Sequence, residues 1–124
     1  MSAWSILDYA ELTGKNKIVE WLDGLPAVDQ AKIDNRLLKM VGSAVWPDKW
    51  VSRYRSPGKL HEFRISGMNV QYRPLGAYCG PRRYIILAGA IEKGDKIPKS
   101  DVDTALEREK RVHKNERHAV PHQF

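Results

Sequence analysis

The stretch Leu60-His61-Glu62-Phe63-Arg64-Ile65-Ser66-Gly67-Met68-Asn69-Val70-Gln71-Tyr72-Arg73 decides how this chain is read. Two runs of β-forming residues flank Ser66-Gly67, a two-residue hairpin signal, so strands are expected over 60–65 and 68–75. With the turn at Ser66-Gly67, Ile65 faces Met68, Arg64 faces Asn69, Phe63 faces Val70, Glu62 faces Gln71, His61 faces Tyr72 and Leu60 faces Arg73. Side chains alternate along a strand. One face therefore collects His61, Phe63, Ile65, Met68, Val70 and Tyr72 and reads as core. The other collects Glu62, Arg64, Asn69, Gln71 and Arg73, with Leu60 at its edge, and reads as polar and positive. A slip of one residue would mix the two sets, so the pattern itself supports this register.

Outward from the hairpin, 76–81 reads as a turn, and Tyr84-Ile85-Ile86-Leu87-Ala88 within 83–91 is apolar on both faces, a central or covered strand. Gly94-Asp95 closes it. Pro98 and Ser100 open a last helix, with Ser100 and Asp103 spaced like a capping box. Val102, Ala105, Leu106, Glu109 and Val112 mark its inner stripe. On the other side, 44–59 is irregular, with turn chemistry at Trp46-Pro47-Asp48-Lys49-Trp50 and at Ser56-Pro57-Gly58. Its two tryptophans are expected to fold back over a core. Further back, Pro26 starts a helix that runs to about Val41, with Ile33, Leu37, Met40, Val41 and Ala44 in one stripe. Asn16 caps a shorter helix over 17–23 that Gly24 stops, and Ser5-Ile6-Leu7-Asp8-Tyr9 is a short strand. The expected class is α+β: a small curved antiparallel sheet of three to four strands, an N-terminal helical hairpin and a C-terminal helix. A single domain over 1–113 is expected, with 114–124 a loose tail.

The composition, 42% hydrophobic and 29% charged in 124 residues, is that of one globular domain and argues against wholesale disorder. No apolar run approaches the roughly 20 residues that span a bilayer, and Met1-Ser2-Ala3-Trp4-Ser5 shows no secretory leader, so the cytosol is the expected location. Cys79 is the only cysteine, which excludes an intrachain disulfide and a multi-thiolate zinc site. No metal and no cofactor are expected. A net charge of +6 suggests a polyanionic partner or an acidic protein.

On the polar face, Arg64 and Arg73 are the residues suited to phosphate, because guanidinium is planar, always charged and forked. They could equally form a solvated face with an ion pair to Glu62. Lys93 and Lys96 follow the apolar strand and can add positive charge. Such a face could hold an RNA phosphate in line for attack by the neighbouring 2′-hydroxyl and stabilise the charge that develops. The residues do not single out the proton donor and acceptor; Glu62 lies on that face. Tyr84, His113 and His118 are unplaced alternatives, and His61 sorts to the core face.

Several short stretches occur in an order that resembles the HigB/RelE-like toxins of type II toxin–antitoxin systems, in their phage-derived branch. They are Ile18-Val19-Glu20-Trp21-Leu22-Asp23-Gly24-Leu25-Pro26, Leu60-His61-Glu62-Phe63-Arg64, Gln71-Tyr72-Arg73-Pro74-Leu75, the apolar strand, and Glu92-Lys93-Gly94-Asp95-Lys96-Ile97-Pro98 with Ser100-Asp101-Val102 and Ala105. The resemblance spans about residues 4 to 113. It implies a microbial-ribonuclease-like fold and an endoribonuclease that cuts messenger RNA, typically on the translating ribosome. It also implies neutralisation by a cognate antitoxin, expected to be a helix-turn-helix protein. Carried over by position, Arg64, Arg73, Lys93 and Lys96 are its site residues, and Glu62 joins them from the hairpin reading. Pro74 departs from the apolar residue usual there. A non-catalytic basic module that binds nucleic acid or protein stands as the alternative, and a structural role in phage assembly as a third.

Overall fold

The computed structural model describes residues 3–54 and 58–124; the expected turn residues Ser56 and Pro57 lie outside them. The chain runs β1 (Ser5–Tyr9), α1 (Lys17–Asp23), α2 (Ala27–Val41), β2 (Val51–Arg53), β3 (His61–Phe63), β4 (Ile65–Ser66), β5 (Gln71–Tyr72), β6 (Leu75–Gly80), β7 (Arg83–Ala88), α3 (Lys99–Lys114), a 3₁₀ turn (Glu116–His118) and β8 (Ala119–Pro121). The fold is α+β, but the main sheet is mixed and six-stranded, in the order β2-β3-β6-β7-β1-β8, with β4-β5 as a small separate ladder. The expected sheet of three or four antiparallel strands is therefore too small. β1 pairs parallel to β7, and β8 adds antiparallel to β1.

Helices cover both faces. On one, Ile18 and Leu22 of α1 and Ile33, Leu37 and Met40 of α2 bury against Phe63, Ile65, Tyr72, Tyr84 and Ile86. On the other, Val102 and Ala105 of α3 bury against Leu7, Leu75, Ala77, Ile85 and Leu87. The doubly apolar run in β7 follows directly, since this strand feeds both cores. Full burial of each such side chain stabilises by roughly 1.5–3 kcal/mol. Asn16 caps α1 by accepting from the Ile18 and Val19 amides, both at 2.9 Å, and Gly24 stops the helix. Trp46 folds back as expected, stacked on Trp4 at 4.2 Å and edge-on to Phe63 and Tyr84.

Four expectations change. The hairpin turn lies two residues further on, at Met68-Asn69, where Gly67 N donates to the Val70 carbonyl (2.7 Å) and Asn69 takes φ 60°. Ile65 consequently faces Tyr72 and Ser66 faces Gln71. Met68, expected in the core, is in the turn and 61% exposed. Residues 75–80 form β6 instead of a turn, and Gly76 is there for close approach: a Cβ on it would lie 2.2 Å from the Ile85 carbonyl oxygen. The Ser100–Asp103 capping box does not form, because α3 begins at Lys99 behind Pro98 and Asp103 pairs with Lys99 Nζ at 3.0 Å. Finally, the stretch after Lys114 is no loose tail. β8 closes the sheet edge beside β1, and His122 is buried with Nδ1 at 2.9 Å from Asp8.

Candidate functional site

α3 packs over β6 and β7 but leaves the same sheet face uncovered beyond β3. There an open cleft of about 660 Å³ is lined by Tyr54, Glu62, Arg64, Arg73, Glu92, Asp95, Lys96 and Ile97. The hairpin supplies its floor. Glu62 pairs with Leu75 and Ile65 with Tyr72, and counting inward from either pair brings Arg64 opposite Arg73. The ladder opens at this point. Phe63 N donates to the Pro74 carbonyl (2.9 Å), but proline has no amide to return the bond. Arg64 N turns to the Trp50 carbonyl (2.8 Å), and Arg73 N to the Ala90 carbonyl (2.8 Å). Arg64 and Arg73 thus face each other as a non-hydrogen-bonded pair, whose amides point away from one another, and each takes a different outer neighbour.

Those neighbours bring the acids. Glu92 N donates to the Gln71 carbonyl (2.9 Å) and Tyr72 bridges to Ile91, which places Glu92 on the face of Gln71 and Arg73. Arg73 Nη2 meets Glu92 Oε2 at 2.9 Å, and its Nη1 donates to the Tyr72 carbonyl at 2.9 Å. Arg64 Nη2 lies 3.3 Å from Glu62 Oε1; Ser52 Oγ accepts from Arg64 Nε and donates to the same Glu62 oxygen, both at 3.3 Å. The two pairs differ in exposure. The Arg64 side chain is 48% exposed and that of Arg73 13%. The Arg64 end of its pair is open to solvent, which screens the attraction, and Ser52 Oγ still donates to the more enclosed Glu62 when Arg64 turns to a phosphate. The Arg73–Glu92 pair is the more firmly held.

The lid of the cleft is a tight turn. Lys93 and Lys96 bond reciprocally, at 2.8 and 3.1 Å, across Gly94 (φ 55°) and Asp95 (φ 62°), the paired positive φ values of a two-residue hairpin turn. Lys96 lines the cleft. Lys93 does not; it lies near Asp101 at the start of α3, where burial raises the Asp101 carboxyl and the Lys93 charge opposes that rise.

The structure thus gathers Arg64, Arg73, Lys96 and Glu62 and leaves Lys93 outside. Sequence reasoning missed Glu92, Tyr54 and Asp95 as members of the cleft, although Glu92 stands next to Lys93 in the basic turn. With them, among the described residues, three cations face three carboxylates in the cleft lining, which is mixed instead of simply positive. The alternative proton carriers lie elsewhere. Tyr84 is buried with its hydroxyl donating to the His61 carbonyl (3.2 Å), and His118 stacks on Tyr9 at 5.1 Å. His113 lines a separate groove with Cys79 on the α3 side of β6. Cys79 sits in a strand and not a turn, and burial pushes its thiol up against the pull of Arg83, away from a nucleophilic thiolate.

No three His, Cys, Asp or Glu among the described residues are placed to hold a metal ion, and no helix among them is long and apolar enough to cross a membrane. Fold and cleft together define a small α+β protein with paired Arg–Glu couples on an open sheet face. Residues 20–110 match the family described as phage derived protein Gp49-like (DUF891), and the chain belongs to that family. No curated protein and no solved structure matches it.

Proposed function

We propose that this chain is the toxin of a type II toxin–antitoxin system, an endoribonuclease that cuts messenger RNA on the translating ribosome and is neutralised by a cognate antitoxin. The observation that carries this reading is the convergence of Arg64, Arg73 and Lys96 with Glu62 and Glu92 in one open cleft. Membership in the phage-derived family is consistent with it. In the proposed reaction a carboxylate, Glu62 or Glu92, takes the proton of a ribose 2′-hydroxyl. The freed oxygen attacks the adjacent phosphorus, and the 5′-oxygen leaves with a proton from an acid such as the Tyr54 phenol. The guanidinium groups and Lys96 neutralise the phosphorane charge.

A second reading is favoured by one feature, that each candidate base is already ion-paired with an arginine, which lowers its pull on a proton: the cleft would then grip RNA or an acidic partner without cutting. Expression in a bacterium lacking the neighbouring antitoxin gene decides between them. The nuclease reading expects growth arrest that Arg73→Ala relieves, with new messenger RNA ends in primer extension only while ribosomes are active. Normal growth at good soluble expression sinks it.

A further inference from the structure

The sheet face opposite the cleft is covered unevenly. α1 and α2 pack over β1, β7 and β4, but over β2, β3 and β6 the cover is aromatic rings. Tyr78 is the outermost of these, 43% exposed. His61 stands 4.8 Å from it edge-on, Trp4 at 5.6 Å and Tyr84 at 5.2 Å. Four neighbouring rings, with Trp46 at 6.1 Å, hold the Tyr78 ring in place. A side chain exposed over nearly half its surface yet fixed on every flank is a preformed platform that loses little freedom when something stacks on it.

Two arginines flank the platform. Arg82 lies over the Trp4 ring at 6.0 Å and donates to the Ala44 carbonyl at 3.3 Å. Arg53 is the cross-strand partner of His61 on the edge strand β2. Both arginines are exposed, and neither forms an ion pair among the described residues, whereas both cleft arginines do. Aromatic rings that take bases on their π-faces, flanked by cations that take phosphates, are what sequence-tolerant single-strand binding requires.

The platform also adjoins the cleft around the sheet edge. Ser52 and Tyr54 belong to the cleft face of the edge strand, and Arg53, between them, belongs to the platform face. A strand leaving the cleft past Tyr54 meets Arg53 one residue away. We propose that Tyr78, His61 and Trp4, flanked by Arg53 and Arg82, form a second, base-stacking site for single-stranded RNA on the face opposite the cleft. This rests on the proposed function for its choice of RNA over an acidic protein.

The test uses the full chain and a short 2′-O-methyl RNA, which binds but cannot be cut by its own 2′-oxygen. Tyr78→Ser is expected to weaken binding roughly ten-fold, in keeping with loss of one base–aromatic stack, while Tyr78→Phe binds as the wild type. An abasic strand of equal length is expected to lose the difference between Tyr78→Ser and wild type. Arg53→Ala with Arg82→Ala, both at exposed positions, is expected to lower the log–log salt slope by about 1.4, at roughly 0.7 per phosphate. If Tyr78→Ser and the double arginine variant bind as wild type while Arg73→Ala binds less, the platform is overturned and the cleft reading stands. If the platform variants bind less but the wild type never arrests growth, the platform stands and the nuclease reading falls. Lack of binding by the wild type overturns the platform and leaves that face to a protein partner.

Discussion

Arg73 Nη2 and Glu92 Oε2 lie 2.9 Å apart in a pair whose side chains are 13% and 20% exposed, so the more enclosed of the two cleft arginines is neutralised by an enclosed carboxylate. In Glu92→Gln the shape is kept and the charge removed. Binding of a non-cleavable RNA is expected to tighten about five-fold at low salt, the effect of roughly 1 kcal/mol of relieved repulsion on the incoming phosphate. If Glu92 is the base, cleavage falls in the same variant. Unchanged affinity in a titration at low salt would show that Glu92 does not compete with phosphate.

The two lysines of the turn separate by position. Lys96 lines the cleft and Lys93 does not. Lys96→Ala is expected to lower the salt slope of RNA binding by about 0.7, and Lys93→Ala to leave it unchanged. Equal slopes for the two variants would contradict the placement.

The cleft was legible in the sequence to an uneven degree. Glu62, Arg64 and Arg73 share one face with the turn at Ser66-Gly67 or at Met68-Asn69, because the pairing differs by four residues and an even shift keeps every side chain on its own side. Glu92 was not legible as a partner of Arg73, since that contact depends on residues 90–92 pairing beyond Gly89. Gly76 read as turn chemistry because close backbone approach and positive φ call for the same residue. The parallel pairing of β1 with β7 leaves no local periodic mark, and β8 is too short at three residues to show alternation.

Tyr72 anchors the hairpin tip from below. Its hydroxyl donates to Asp29 Oδ2 at 2.5 Å, and Met68 N donates to Asp29 Oδ1 at 2.9 Å, so a buried acid of α2 fixes the turn. Burial, then the Asp29 hydrogen bond and charge, push the Tyr72 phenol up to about 12 from 10.0. A raised folded value gives stability that is complete below the unfolded value and lost as pH climbs through the folded one, here from pH 10 to about 12. Tyr72→Phe is expected to lower stability by about 1–2 kcal/mol at neutral pH and to remove that alkaline loss. Urea unfolding at neutral pH and above pH 10 measures both. A Phe variant with the wild-type alkaline profile would assign the loss to another group.

His122 joins the chain's end to two carboxylates. Its Nδ1 lies 2.9 Å from both oxygens of the fully buried Asp8 in β1, and Nε2 lies 3.2 Å from Asp34 of α2. Burial pulls the imidazole down, but the Asp8 bond and charge, with those of Asp34, outweigh it and hold the ring above its ordinary 6.5. The stabilisation is therefore complete below pH 6.5 and lost as pH rises through the raised value. Asp8 also accepts from Asn16 Nδ2 at 3.0 Å, so the clamp reaches the cap of α1. Removing the imidazole leaves Asp8 buried with Asn16 as its remaining side-chain partner. His122→Ala is expected to cost about 3 kcal/mol at pH 6, toward the lower end for breaking a buried pair, and to melt with a flatter dependence on pH between 6 and 9. Thermal melts of wild type and variant across that range test this. A wild-type melting temperature that climbs with pH, or a variant that falls in parallel with it, would show that the clamp does not run through His122.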